Sequence, residues 1–439
     1  MSLKDHRNIE LSTTSRASVS GYERALTLLN GYYLDPLAAI DGVLAEDPDF
    51  VSGHVLRSAL GVLALERAGE PLIQQGIEAG ARLALRANER ERRHFAAARA
   101  WFDGDFHRSS ELYGKIVLDH PTDLLALQVA HITDFALGQQ RLLRDRIVHA
   151  LPAWSPELPG YGFVLGMLAF GLEETNLFVR AEETGKRALE LNARDPWAVH
   201  AVAHVYEMNG RTDDGIAWLI SRAADWAPNN GFAYHNFWHL ALFELENGET
   251  REVLRLFDEH VWRPDASTAL ELVDASALLF RLHLRGVDVR SRAAAVADAF
   301  DQPGQRGYYA FNDAHVAMAL VASGRLDEAR RVVAELERAA GDDGSNAQMA
   351  RDIGLPLARA LLLFGEGRYA ETVDILWPVR QNSARFGGSN AQRDVIDQTL
   401  AVAAVRANLP RVAGALAEER RLLRPQSSWA KSLRERVAA

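Results

Sequence analysis

The chain of 439 residues contains no cysteine. That absence removes disulfides, thiol nucleophiles, thiolate-ligated zinc and iron–sulfur clusters together, because each needs a sulfur that the thioether of methionine cannot replace. An excess of positive charge is missing too: 49 Lys and Arg stand against 59 Asp and Glu, for a net charge of −10. An acidic chain repels phosphate backbones, so nucleic acid is not an expected partner. No uninterrupted apolar run approaches the roughly 20 residues of a spanning helix, so no membrane partner is expected, and Leu357 to Phe364 has the length that a buried helix uses. Residues Met1 to Ser15 are polar and of mixed charge, without the apolar stretch and small-residue cleavage site of a secretory signal. The expected location is cytoplasmic.

What remains is 48% hydrophobic and 25% charged, the composition of an ordinary globular chain. Helical periodicity runs almost throughout, and no segment alternates β-branched residues as a strand would, so the fold class is all-α without a sheet. Four segments share one punctuation, in which a Gly ends one helix and a short polar turn leads into an amphipathic second helix. They begin at Gly104, Gly210, Gly324 and Gly367. Glycine supplies the left-handed backbone that lets the chain reverse, so these are helical hairpins. A second mark is proline near a helix start, at Asp47-Pro48, His120-Pro121, Asp195-Pro196 and Ala227-Pro228. The spacings Pro196 to Pro228 (32), Gly210 to Gly248 (38) and Gly324 to Gly367 (43) scatter around the ~34 of a tetratricopeptide array. The expected architecture is therefore a TPR-like α-solenoid, a superhelix of stacked antiparallel helix pairs whose first helices line the concave wall. No linker or charge block divides it. Residues 1–20 read as a polar N-terminal segment and 21–439 as a single domain, with 341–346 as one long loop.

Aligning the first helices on their terminal glycines places the histidines in register. His204 and His200 stand six and ten residues before Gly210, His239 and His235 nine and thirteen before Gly248, and His315 nine before Gly324. These offsets differ by three, four and seven, which is one helical stripe, and Glu207 extends it. Five of the fourteen histidines thus point to one channel. A single His-x-x-x-His is usually structural. Two on adjacent helices could ligate zinc, iron or manganese through His200, His204, Glu207, His235 and His239. The segment is not His-Glu-x-x-His, so two ligands do not bracket a general base, and a metal-free polar pocket is the stronger expectation. Tyr234 and Trp238, four residues apart, flank the second pair and could cover an apolar ligand body, whereas Trp197 and Phe237 read as core.

Two later segments carry chemistry as well. Phe311-Asn-Asp-Ala-His315 joins an amide (Asn312), a carboxylate (Asp313) and an imidazole (His315) at a helix start, where an Asp can fix the tautomer of a His. Capping by Asn312 or Asp313 explains the same residues. Gly387-Gly-Ser-Asn-Ala-Gln-Arg-Asp394 enters a helix with backbone donors and Arg393, an anion site in form. Capping by Ser389 or Asn390 is the competing explanation, and no Lys follows the glycines as a P-loop requires.

Taken together, Ala198-Val-His-Ala-Val-Ala-His-Val-Tyr-Glu-Met208, His235-Asn-Phe-Trp-His239, Phe311-Asn-Asp-Ala-His315, Arg351-Asp-Ile-Gly-Leu-Pro356 and the 387–395 segment resemble the tetratricopeptide repeat protein 38 family. The resemblance runs from about Tyr22 to the C-terminus. It implies an α-solenoid and these motif positions, and it implies no catalysed reaction. Tyr206 and Phe237 depart from the family pattern, standing where His and Tyr are expected.

Two functions of different class follow. In one, the concave wall is a pocket for a small anionic or amphipathic molecule. His200, His204, His235, His239 and His315 then act as acid/base groups or metal ligands, Glu207 or Asp313 orients them, and Tyr234, Trp238, Asn312, Ser389, Asn390 and Arg393 bind the ligand. In the other, the groove is a scaffold for a peptide or protein. A carboxylate-clamp groove would present Lys, Arg and Asn, and this one presents His, Glu and aromatics, which favours the pocket. Catalysis and homo-oligomerisation are both left open.

Overall fold

Several hairpins turn where the glycines fall. Gly104, Gly210, Gly248, Gly324 and Gly367 all have φ between +66° and +85°, a region that L side chains rarely adopt. Around Gly324 the Ala310–Ser323 helix packs on Leu326–Gly341, and around Gly367 the Leu355–Gly365 helix packs on Tyr369–Val379. The two helices of a pair differ in kind. Ala310–Ser323 is buried on nearly all sides, whereas Leu326–Gly341 buries one stripe, including Ala329, Val332, Val333 and Leu336, and leaves its charged face to solvent. A first helix is covered by its own partner and by the next first helix, which is why its sequence is apolar all round.

The computed structural model describes residues 2–264, 268–300 and 304–438. The fold is all-α, with TPR-like stacking of antiparallel helix pairs in sequence order. Helix starts are closed chemically. Asp105 accepts from the Arg108 amide and Asp123 from the Ala126 amide, and capping boxes pair Asn88 with Glu91, Thr268 with Glu271 and Ser389 with Gln392. No helix among the described residues is long and apolar enough to cross a membrane.

Two expectations are corrected. A small antiparallel ladder exists, Leu3–Lys4 with Glu10–Leu11. Its turn is held by Asp5, which accepts from the Arg7 and Ile9 amides, while the buried Arg7 guanidinium bonds Asp5 at 2.7 Å and Glu23 at 3.0 Å. These are polar contacts that hydrophobic periodicity does not register. The 341–346 loop is also shorter than expected, because the second helix runs to Gly341 and a new helix begins at Ser345. Asn346 secures that start by accepting from the Ala310 amide (2.7 Å) and donating to the Gly307 carbonyl (2.8 Å).

The chain divides into two compact units: one runs to Val202 and includes Ala223–Ala233, the other comprises Ala203–Arg222 and Tyr234 onward. The first unit has an aromatic core of Phe170, Trp197 and Phe232 with Leu143, Ala169 and Ala201, against which Tyr32, Ile132 and Phe135 pack. Tyr32 stacks on Trp197 with ring centroids 5.6 Å apart. In the second unit the Ala269–Leu284 helix meets both Ala310–Ser323 and Asn390–Arg406, so first helices far apart in sequence share one interior.

Candidate functional site

In the second unit the polar centre begins with His204 and Glu207, one helical turn apart at the end of the Pro196–Met208 helix. The Ala233–Asn247 helix supplies His235, Trp238 and His239. His204 and His239 lie with ring centroids 4.4 Å apart, and His235 and His239 4.9 Å apart. One ring nitrogen from each of the three falls within 4.8 Å of the others. Each of two rings is turned by a carboxylate: His239 donates its Nδ1–H to Glu207 Oε2 at 2.9 Å, and His235 donates Nδ1–H to Asp274 Oδ2 at 2.5 Å. Bonding through Nδ1 makes Nε2 the nitrogen each ring offers to a ligand. The His235 ring is fixed further by Trp238, stacked on it at 5.3 Å and 14°.

All three imidazoles and both carboxylates are buried. Burial holds His239 neutral, well below its ordinary range, and the nearby His204, His235 and Arg281 act the same way. Burial also raises the Glu207 carboxyl, with Arg424 the chief opposing charge. The oxygen of Glu207 that does not face His239 lies 3.9 Å from Arg424. Close approach there depends on Gly210, where a Cβ would stand 3.2 Å from the Arg424 Cα.

Arg424 belongs to a buried charge network. Arg420 bonds Asp394 at 2.9 Å and Glu246 at 3.0 Å, Arg424 bonds Asp394 at 3.1 Å, and Arg285 bonds Glu246 at 3.2 Å. Arg281 lies among them, its Cζ 5.4 Å from the Trp238 ring centroid. Burial lowers its pKa to about 10, so it stays charged at neutral pH.

The other sequence-selected residues take varied places. His200 belongs to the first unit, against Trp197 (4.9 Å), Phe170 (5.2 Å) and Phe232 (5.2 Å). His315 is buried in the second unit, its Nδ1 donating to the Phe311 carbonyl at 2.7 Å, and burial lowers its pKa to about 4 with a contribution from Arg281. Asp313 does not orient His315 through that nitrogen; it accepts from the Gly307 amide at 3.1 Å and ties down the preceding turn. Asn312 is half-buried on the same helix. Tyr234 stands 6.3 Å from His235, ring to ring. Phe237 is stacked on His260 at 4.0 Å. Ser389 caps its helix in a box with Gln392, and Arg393 donates to the Gly388 carbonyl and to Asn390 Oδ1 (2.8 Å).

Reading the sequence missed Asp274, Arg281, Arg420 and Arg424, and took Asp394 only as the end of the 387–394 segment. One signal was present: Asp274 and Arg281 are seven residues apart on a mostly apolar helix, hence on one buried face. Nothing local marked the others.

No family model matches the chain. Among solved structures it is similar to yeast Tom70 (12% identity, 92% of this chain and 91% of that chain, TM-score 0.42). It is also similar to the APC/C hetero-tetramer Cut9–Hcn1 (12%, 96% and 76%, TM-score 0.41) and to the TPR domain of P58(IPK) (14%, 90% and 99%, TM-score 0.22).

Proposed function

We propose that this TPR-like protein binds a divalent metal, zinc by preference, in the second unit through His204, His235 and His239, and that the site serves a small molecule. The carrying observation is the pair of carboxylate–histidine bonds, Glu207 to His239 and Asp274 to His235, on rings whose nitrogens converge with His204 within 4.8 Å. Metal-binding imidazoles characteristically donate their second nitrogen to a carboxylate, which fixes the tautomer and strengthens the ligand. Three nitrogens with one position left over is the pattern of a zinc site that takes water or substrate as fourth ligand. Bound there, zinc would supply Lewis acidity toward a carbonyl or lower the pKa of a bound water.

Burial of these side chains supports a small ligand over a peptide laid in an open groove, since a peptide needs exposed contacts. Membership of the tetratricopeptide repeat protein 38 family is part of the same proposal and rests on the five motif segments. Elemental analysis of protein purified without an affinity tag or chelator tests the metal. Near one zinc per chain is expected. Substoichiometric zinc, together with no heat on titrating zinc into the stripped protein, would leave the histidines as a metal-free polar core.

A further inference from the structure

Arg281 is 1% exposed, in the middle of the apolar Ala269–Leu284 helix. Its guanidinium donates to three carbonyl oxygens, those of Ala277 (3.1 Å), Ala391 (2.8 Å) and Gln392 (3.3 Å). The neighbouring Arg285, Arg420 and Arg424 each pair with a carboxylate within 3.2 Å, while among the described residues Arg281 makes no ion pair. A buried cation costs several kcal/mol in solvation, and proteins ordinarily offset that with an opposite charge in contact. Nη1 donates to one of these carbonyls and Nη2 to two, so the Nε–H and one Nη1–H remain for other acceptors.

Two further buried polar atoms stand near it. Trp238, 0% exposed, has an indole Nε1–H with no hydrogen-bond partner among the described residues, and its ring is the one that Arg281 faces at 5.4 Å. His315 Nε2 is likewise without a partner, and because Nδ1–H donates to the Phe311 carbonyl, Nε2 of the neutral ring is an acceptor. The charge inventory agrees. Glu207, Glu246, Asp274 and Asp394 match Arg281, Arg285, Arg420 and Arg424 in number, so a divalent ion on the histidines would leave a surplus for an anion to offset.

We infer that the interior of the second unit binds a small hydroxycarboxylate, its carboxylate accepting from Arg281 and the Trp238 indole N–H, and its hydroxyl donating to His315 Nε2. A carboxylate is chosen over a phosphate because the donors available are few and suit a planar monoanion. The placement beside the metal rests on the reading of the histidine centre above; the anion contacts themselves do not require the metal.

The test is calorimetric titration of sodium glycolate into the full-length chain, zinc-loaded and, separately, stripped with EDTA. Saturable binding is expected, weakened about tenfold or more by Trp238→Phe, which removes one hydrogen bond to a charged group, and abolished by Arg281→Met. If Arg281→Met fails to fold, Trp238→Phe carries the test. Acetate, without the hydroxyl, is expected to bind several-fold more weakly, and equal affinity would overturn the role given to His315. Absence of glycolate binding in both forms, binding unchanged in Trp238→Phe, or tighter binding of inorganic phosphate would overturn the inference. Zinc titrated alone separates the two proposals. Zinc uptake without a glycolate response removes the carboxylate site and leaves the metal centre. Glycolate bound by a chain that takes up no zinc does the reverse.

Discussion

Glu207 Oε2 accepts the Nδ1–H of His239 at 2.9 Å, a bond between side chains 32 residues apart on neighbouring first helices. It sets which nitrogen His239 can offer. Glu207→Gln keeps the size of the side chain and removes its charge, so zinc affinity is expected to fall about 10- to 100-fold, the usual effect of losing a carboxylate behind a metal-bound histidine. Calorimetric zinc titration of the variant, with circular dichroism to verify its helicity, checks this. Unchanged zinc affinity would remove Glu207 from the site.

Glu246 is the shared acceptor of Arg285 and Arg420. Glu246→Ala leaves two buried guanidiniums short of a partner, and a loss of about 3 kcal/mol is expected in urea unfolding. Burial opposes ionisation of Glu246, but Arg420, Arg285 and Arg424 together outweigh it and bring its pKa down to about 2. A depressed folded-state pKa contributes stability that is present above the unfolded value of about 4.5 and is lost as pH falls toward 2. The variant and the wild type should therefore converge in stability toward pH 2 and differ most above pH 5.

Asp195 gives the opposite slope. Burial pushes its carboxyl up to about 7, against the Ala198 and Trp197 amides that donate to Oδ1. The folded state then holds a proton that the unfolded state releases between pH 4 and 7, so this group's contribution to stability falls as pH rises through that window. Asp195→Asn keeps the capping oxygen without the charge. It is expected to be stabilising by about 1 kcal/mol or more above pH 7 and neutral near pH 4. Melting temperatures measured across the range decide it, and a difference independent of pH would contradict the assignment.

Gly171 lies where the Tyr161–Glu173 helix crosses Gln140–Ala150. A Cβ there would meet backbone, at 2.7 Å from the Arg144 Cα and 2.8 Å from the Leu143 carbonyl oxygen. Backbone cannot swing aside as a side chain can, so Gly171→Ala should cost about 1–3 kcal/mol. Gly42, with open space around its Cβ position, is the matched control and should tolerate Ala.

The hairpins were legible because glycine and proline act through their own backbone preferences. Gly324 and Gly367 adopt the left-handed turn where their helix pairs reverse, and Asp195-Pro196 starts a helix through its own side-chain cap. The histidine stripe was legible for the same local reason: spacings of three, four and seven fix a common face before any packing is known. At Arg393 and Asp313 the same spacing suited an anion site or a tautomer lock and equally a local turn; Arg393 donates to the Gly388 carbonyl and Asp313 accepts from the Gly307 amide.

By itself the sequence determined the all-α class, the helix pairs and which faces are apolar, since these follow from side-chain periodicity and backbone preference over a few residues. Only the tertiary structure decided that Asp274 meets His235, that Glu207 meets both His239 and Arg424, and that Arg281 lies buried with no ion pair among the described residues. Those partners come from helices tens to hundreds of residues apart. Periodicity reports that a face is buried, and the identity of what buries it is set by how the helices stack.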